Sequence, residues 1–123
     1  GLRALHEALP LADCPWSWSV SDRLAEADPG VAAALGPIPD LDLVVAHGDA
    51  CVPNTLLNDD GTWAGHVDLG TLGIADRWAD LAIAAWSTEW NYGPGWDGVV
   101  YEAYGIEPDP VKIAFYRRLW DIT

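Results

Sequence analysis

His47-Gly48-Asp49-Ala50-Cys51-Val52-Pro53-Asn54 and, a short distance on, His66-Val67-Asp68-Leu69-Gly70 are the two stretches that decide how this chain folds. The first follows Leu41 to Ala46, an apolar, β-branched run that predicts a strand. Between the two, Thr55 to Leu57, the turn residues Asn58-Asp59-Asp60-Gly61 and Trp63 to Val67 predict a β-hairpin. Strand ends therefore flank both stretches and hold their polar side chains on loops.

Working outward, residues 2 to 9 predict a helix already under way, with His6 on its surface, so a segment is expected before Gly1. Pro10 to Ser19 predict a loop, and residues 21 to 27 a short helix capped by Ser21 and broken by Asp28-Pro29-Gly30. Pro37 and Pro39 mark a linker. Downstream, the period changes. Trp78, Leu81, Ala82, Ala85 and Trp86 share one helical face, which makes Trp78 a core residue, and Asp76 is placed to cap that helix. Gly93-Pro94-Gly95 ends it, Trp96 to Tyr104 predicts another helix stopped by Gly105, and Asp109-Pro110 opens a last one through Trp120. Helices, a hairpin and then helices, without βαβ alternation, make the fold class α+β.

With 123 residues and half of them apolar, the chain can build one core. No apolar run approaches the roughly 20 residues needed to cross a bilayer, and no basic-then-apolar leader opens the chain, so no membrane is involved and the expected location is cytoplasmic. Cys14 and Cys51 form neither a disulfide framework nor a zinc site. A net charge of -13 repels nucleic acid and anionic membranes and concentrates cationic ligands.

Asp49 and Asn54 lie five positions apart on one loop. In phosphoryl transfer, that spacing puts a carboxylate beside the acceptor hydroxyl and a side-chain carbonyl on Mg²⁺. Asp68, at the end of the next strand and released by Gly70, is placed to bridge Mg²⁺ to nucleotide phosphates, and oxygen ligands suit that hard cation. A metal-hydrolase site built on His47, Asp49, His66 and Asp68 is the competing reading, although strand alternation alone puts His66 and Asp68 on one face. Cys51 lacks the partners of a nucleophilic triad.

These segments resemble the aminoglycoside phosphotransferase family, whose catalytic loop reads H-G-D-x-x-x-x-N and whose metal-binding stretch reads I/V-D-x-G. The likeness continues through Gly73-Ile74-Ala75-Asp76-Arg77-Trp78-Ala79-Asp80-Leu81-Ala82 and Ile113-Ala114-Phe115-Tyr116-Arg117, and it covers residues 40 to 123 strongly. It implies that residues 1 to 123 form the mostly helical C-terminal lobe of a protein-kinase-like fold. It also implies an ATP-dependent transfer to an aminoglycoside hydroxyl, with Asp49 as base and Asn54 and Asp68 as Mg²⁺ ligands. His47 then shapes the loop, Asp76 caps a helix, Asp80 anchors the loop from below, and Arg77 pairs with one of those two acids.

The chain departs from that family in two ways. It has no glycine-rich phosphate loop and only one lysine, Lys112, so a nucleotide lobe is expected upstream. Where relatives acting on kanamycin-type sugars carry an arginine after D-x-G and acids further on, this chain has Thr71, Trp86, Trp90, Asn91, Trp120 and Asp121. Tryptophan faces stack on guanidinium groups and sugar rings, which leans the resemblance toward a streptomycin 3''-type enzyme over a kanamycin 3'-type one. Trp86, Trp90, Asp121 and Thr123 are the expected antibiotic contacts. Kinases of choline, homoserine or macrolides, and a non-catalytic cation-binding lobe, are the alternatives.

Overall fold

The computed structural model describes residues 1–123. Its helices are α1 (Leu2–Ala8), α2 (Val20–Glu26), α3 (Pro29–Ala34), α4 (Trp78–Tyr92), α5 (Asp97–Tyr104) and α6 (Pro110–Ile122). Its strands are β1 (Leu43–Ala46), β2 (Thr55–Leu57), β3 (Trp63–His66) and β4 (Gly73–Asp76). The α+β expectation holds.

The strands form two separate antiparallel pairs, β1 with β4 and β2 with β3. The loop 47–54 leaves the first pair and enters the second, so it is held at both ends. Strand β4 was not expected from the sequence. Gly73 and Asp76 are weak strand formers, and the segment becomes a strand by pairing with β1 and, on its other side, with the chain at Trp16 to Trp18. There, Ile74 N donates to Trp16 O at 2.9 Å and Trp18 N to Ile74 O at 3.0 Å. A side chain on Gly73 would meet the backbone of Ser17 and Trp18, so glycine lets these segments touch.

Helix α4 forms the centre. Leu81 to Ala85 are all buried, and the alanines let α5 and α6 approach closely. Trp78, Phe115, Tyr116 and Leu119 complete the core around it. Asp76 lies one residue before the cap position of α4, which Arg77 occupies, yet its carboxylate still accepts from Trp78 N at 3.0 Å. Its other oxygen takes Lys112 Nζ at 2.7 Å, a buried ion pair that ties β4 to α6.

Three upstream expectations are corrected. Helix α2 is capped by Ser19 and not by Ser21: Val20 is buried, and Ser19 has the extended backbone of a cap and accepts from Asp22 N. Asp28-Pro29-Gly30 opens α3 rather than merely ending α2, because Asp28 accepts from Gly30 N and Val31 N and proline suits the first helical turn. His6 is buried, since Leu2, Leu5, His6 and Leu9 share the face of α1 that packs inward.

Gly48 has φ +85, and a Cβ there would run into the carbonyl of Thr71; Gly61 has φ +83 in open space. Gly61→Ala therefore carries only the left-handed backbone cost of about 1–2 kcal/mol. Gly48→Ala adds a clash and should lose at least about 1 kcal/mol more by urea unfolding. Equal losses would show that the approach of loop 47–54 to residue 71 is not required.

Candidate functional site

The site is built on the carboxylate of Asp80, which is fully buried in the first turn of α4. Its Oδ2 accepts from His47 N at 2.7 Å and from His6 Nε2 at 2.8 Å, and its Oδ1 accepts from Gly48 N at 2.9 Å. Two consecutive backbone N–H groups of the loop thus point down onto one carboxylate. Charge-assisted bonds of this kind are short and about twice as strong as neutral ones. His6 Nδ1 accepts from the Tyr104 hydroxyl at 2.9 Å, and that hydroxyl accepts from Arg77 Nη1 at 2.8 Å. The order of donors leaves the Nε2 proton of His6 for Asp80.

Arg77 was expected to pair with Asp76 or Asp80. It pairs instead with Asp42, Nη2 to Oδ1 at 3.0 Å, because its own backbone N–H bonds to Asp42 O at 2.9 Å and turns the side chain toward the start of β1. Asp76 is served by Lys112 and Asp80 by His6.

Above this base, His47 is fully buried and uses both ring nitrogens inside the loop. The Val67 carbonyl 2.9 Å from Nε2 can only accept, so the proton sits on Nε2 and Nδ1 accepts from Asp49 N at 3.1 Å. Neither nitrogen is left for a metal. His66 is half-buried, and its burial lowers its pKa, so the ring is neutral at pH 7. No group of three His, Cys, Asp or Glu side chains is gathered in a way that could hold a metal ion.

Asn54 closes the loop from the other end. Its Nδ2 donates to Asp49 O at 2.8 Å, and its backbone carbonyl accepts from Val67 N at 3.0 Å. The loop carrying Asp49 is thereby bound to the strand that leads into Asp68. The Oδ1 of Asn54 has no partner in the chain. Asp68 is exposed, makes no ion pair, and holds φ 60, a left-handed conformation that aspartate tolerates better than most residues and that turns the chain out of β3. The Asn54 Oδ1 and the Asp68 carboxylate are therefore uncommitted, and hard oxygens of this kind fit Mg²⁺, which keeps waters and needs only one or two protein ligands beside substrate phosphates.

A cavity of about 870 Å³ opens beside the turn that follows Asp68, with none of residues 47–54 in its lining. It is lined on one side by Trp16 to Ser19 with Asp22 and Arg23, and on the other by Leu69 to Leu72. Trp18 belongs to both the cavity and the loop, donating from its indole to Gly48 O at 3.2 Å. Of the expected antibiotic contacts, Thr123 is tied to the cavity wall through Arg23 Nη2 at 3.1 Å, and Asp121 is exposed on the same last turn of α6. Trp86 and Trp90 contact each other with ring centroids 5.0 Å apart and planes inclined at 57°, Arg117 lies over Trp86, and neither tryptophan lines the cavity. Trp16, Trp18 and Arg23 were not singled out from the sequence. The density of tryptophan in Pro10 to Ser19 was the one local signal for them.

Residues 2–116 match the Phosphotransferase enzyme family. An aminoglycoside 3'-phosphotransferase of Streptomyces fradiae is 40% identical, with 95% of this chain and 54% of the relative covered. A streptomycin 3''-kinase of Streptomyces griseus is 42% identical over 67% of this chain and 32% of its own length. The solved structure of the aminoglycoside phosphotransferase APH(3'')-Id from Streptomyces rimosus, in complex with ADP and streptomycin, superposes with a TM-score of 0.76 at 30% identity, covering 99% of this chain and 59% of that one. The chain spans about half the length of the curated relatives it matches. With loop 47–54, Asp68 and the helices beneath them arranged as described, the chain belongs to the phosphotransferase enzyme family.

Proposed function

We propose that this chain is the catalytic, acceptor-binding half of an ATP-dependent aminoglycoside phosphotransferase. The observation that carries the reading is the clamped loop: the backbone on either side of Asp49 is held by Asp80 and by Asn54, and Asn54 O accepts from Val67 N on the segment that leads into Asp68. In the proposed reaction, Asp49 accepts the proton of the acceptor hydroxyl as that oxygen attacks the γ-phosphorus and ADP leaves. Asn54 and Asp68 would hold Mg²⁺, which when bound neutralises charge on the transferring group. The loop's backbone is fixed in advance, so little reorganisation is needed at the moment of transfer.

The glycine-rich loop and lysine that grip the nucleotide are assigned to the additional length found in the relatives. Exposed apolar side chains support this. Leu43 on β1 and Leu56, Leu57 and Trp63 on the β2–β3 pair are all 40% or more exposed, surface that such a lobe would cover. Streptomycin is the favoured acceptor over kanamycin-type sugars. It is the ligand named in a matched structure, and the cavity wall presents the exposed Trp16 ring and a single acid, Asp22, rather than a row of acids. ATP places the reaction in the cytoplasm, and no helix is long and apolar enough to cross a membrane.

A cysteine nucleophile is disfavoured by the surroundings of Cys51. Burial, and then the neighbouring Asp49 carboxylate, push its thiol up to about 11, so it is protonated at neutral pH.

The reading is tested by incubating the intact gene product with ATP, Mg²⁺ and either streptomycin or kanamycin, and following the phosphate monoester by ³¹P NMR. Streptomycin is expected to be phosphorylated, and Asp49→Asn to lower turnover about a hundredfold or more with ATP affinity unchanged. No monoester on either antibiotic, or a mutant retaining most of its turnover, contradicts the proposal. Alkylation of Cys51 by iodoacetamide should rise only as pH approaches about 11, and Asp49→Asn should move that rise to lower pH. Thiolate reactivity near pH 8 in the unmutated protein would mean that the loop is more open than described.

A further inference from the structure

Each of the chain's six basic residues can be accounted for, and one of them stands apart. Arg3 pairs with Glu7, Arg77 with Asp42 and Lys112 with Asp76. Arg117 and Arg118 donate to the backbone carbonyls of Ala82 and Ala34. Arg23, Arg117 and Arg118 have no carboxylate within ion-pair distance, and Arg117 Nη2 is also buried without an acceptor; Arg23 stands apart because it lines the cavity. Its guanidinium lies over the Trp18 ring at 4.5 Å, Nη2 donates to the Thr123 hydroxyl, and Nε is buried with no acceptor at all.

This arrangement is costly in a chain with nineteen acids. A buried, unsatisfied donor on a charged group loses its hydration with nothing in return. Asp22, the adjacent residue, is exposed and makes no ion pair with it. Burial lowers the Arg23 pKa, while the Glu26 and Asp49 carboxylates act in the opposite sense. It is also the only lysine or arginine lining the 870 Å³ cavity, where the Thr71 hydroxyl offers a further donor from the opposite wall.

We propose that Arg23 is the anion-binding residue of this cavity, donating its guanidinium to the phosphoryl group as it reaches the acceptor oxygen and to the phosphate monoester that results. The inference rests on the phosphotransferase reading. In that reaction the bond between the γ-phosphorus and ADP breaks, a bond to the acceptor oxygen forms, and the hydroxyl proton passes to Asp49. The product then carries a charge of about −1.5 to −2 beside Asp49. An unpaired guanidinium at the same wall offsets that charge, and its planar fork suits phosphate oxygens better than a lysine would. Trp18 holds the guanidinium flat from one side while donating to Gly48 O from its own ring, so the cation and the catalytic loop share one support.

The first test needs no turnover: the Arg23 Nε–H resonance of the ¹⁵N-labelled chain is followed while inorganic phosphate is titrated at constant ionic strength. A saturable shift at Arg23, with the exposed Arg118 unmoved, is expected. No shift at Arg23, or equal shifts at both, overturns the proposal. In the intact gene product, Arg23→Gln should lower kcat about a hundredfold with the KM for ATP unchanged, Arg23→Lys should recover part of the loss, and Arg118→Gln should change kcat less than threefold. A loss confined to the KM of the antibiotic, or a loss in Arg118→Gln equal to that in Arg23→Gln, also overturns it. If Arg23 binds phosphate but no antibiotic is phosphorylated by the unmutated protein, the phosphotransferase reading fails and the anion site stands.

Discussion

The rest of the structure depends on one buried carboxylate. Asp80 is fully enclosed in the first turn of α4, and it takes three donors: two backbone N–H groups of loop 47–54 and the imidazole of His6. An ionised carboxylate in that position is tolerable only because each donor offsets part of its lost hydration. The consequence runs outward. The N–H pair fixes the backbone at His47 and Gly48, and Gly48 approaches Thr71. The geometry of loop 47–54 is set by the helix beneath it, not by the hairpin that follows it.

The same constraint explains how so acidic a chain stays folded. Two of its nineteen acids, Asp76 and Asp80, are buried near opposite ends of one short segment, and each is matched by a single base or imidazole from a distant element. Asp76 draws in the only lysine and so fastens β4 to α6; Asp80 draws in His6 and so fastens α1 to the loop. Most of the remaining acids lie at the surface, where water screens them. Cations are scarce, so where each one sits carries information, and Arg23 is the one that lines the cavity without a carboxylate partner.

What the sequence made legible was local. The five-residue separation of Asp49 and Asn54, the turn at 58–61, and the Asp-Pro opening of α6 are short-range patterns whose physics is contained in a few neighbouring residues. Apart from the Ser19 cap of α2 and the Asp28 start of α3, the misses were long-range. Strand β4 exists because β1 and the Trp16–Trp18 segment pair with it from either side. His6 lies 74 residues from Asp80, and nothing near it in sequence announces a buried acid. Arg23 lies 100 residues from Thr123 and reads as an ordinary helix residue until the cavity is seen. Arg77 was expected to serve the acids closest to it in sequence, whereas its backbone bond to Asp42 decided otherwise.

The most direct test of this account is native-state amide exchange at His47 and Gly48 in the protein and in Asp80→Asn. Both amides have a side-chain carboxylate as their sole acceptor, so their protection reports the clamp itself. An asparagine can accept at only one of the two positions and presents an amide hydrogen to the other. Exchange at one or both sites should therefore accelerate about ten- to hundredfold, following loss of a charge-assisted bond worth roughly 1.5–3 kcal/mol, while core amides of α4 change only by the global loss of stability. If His47 and Gly48 are unprotected in the unmutated protein, or keep their protection in Asp80→Asn, Asp80 does not hold the loop and the central claim is wrong.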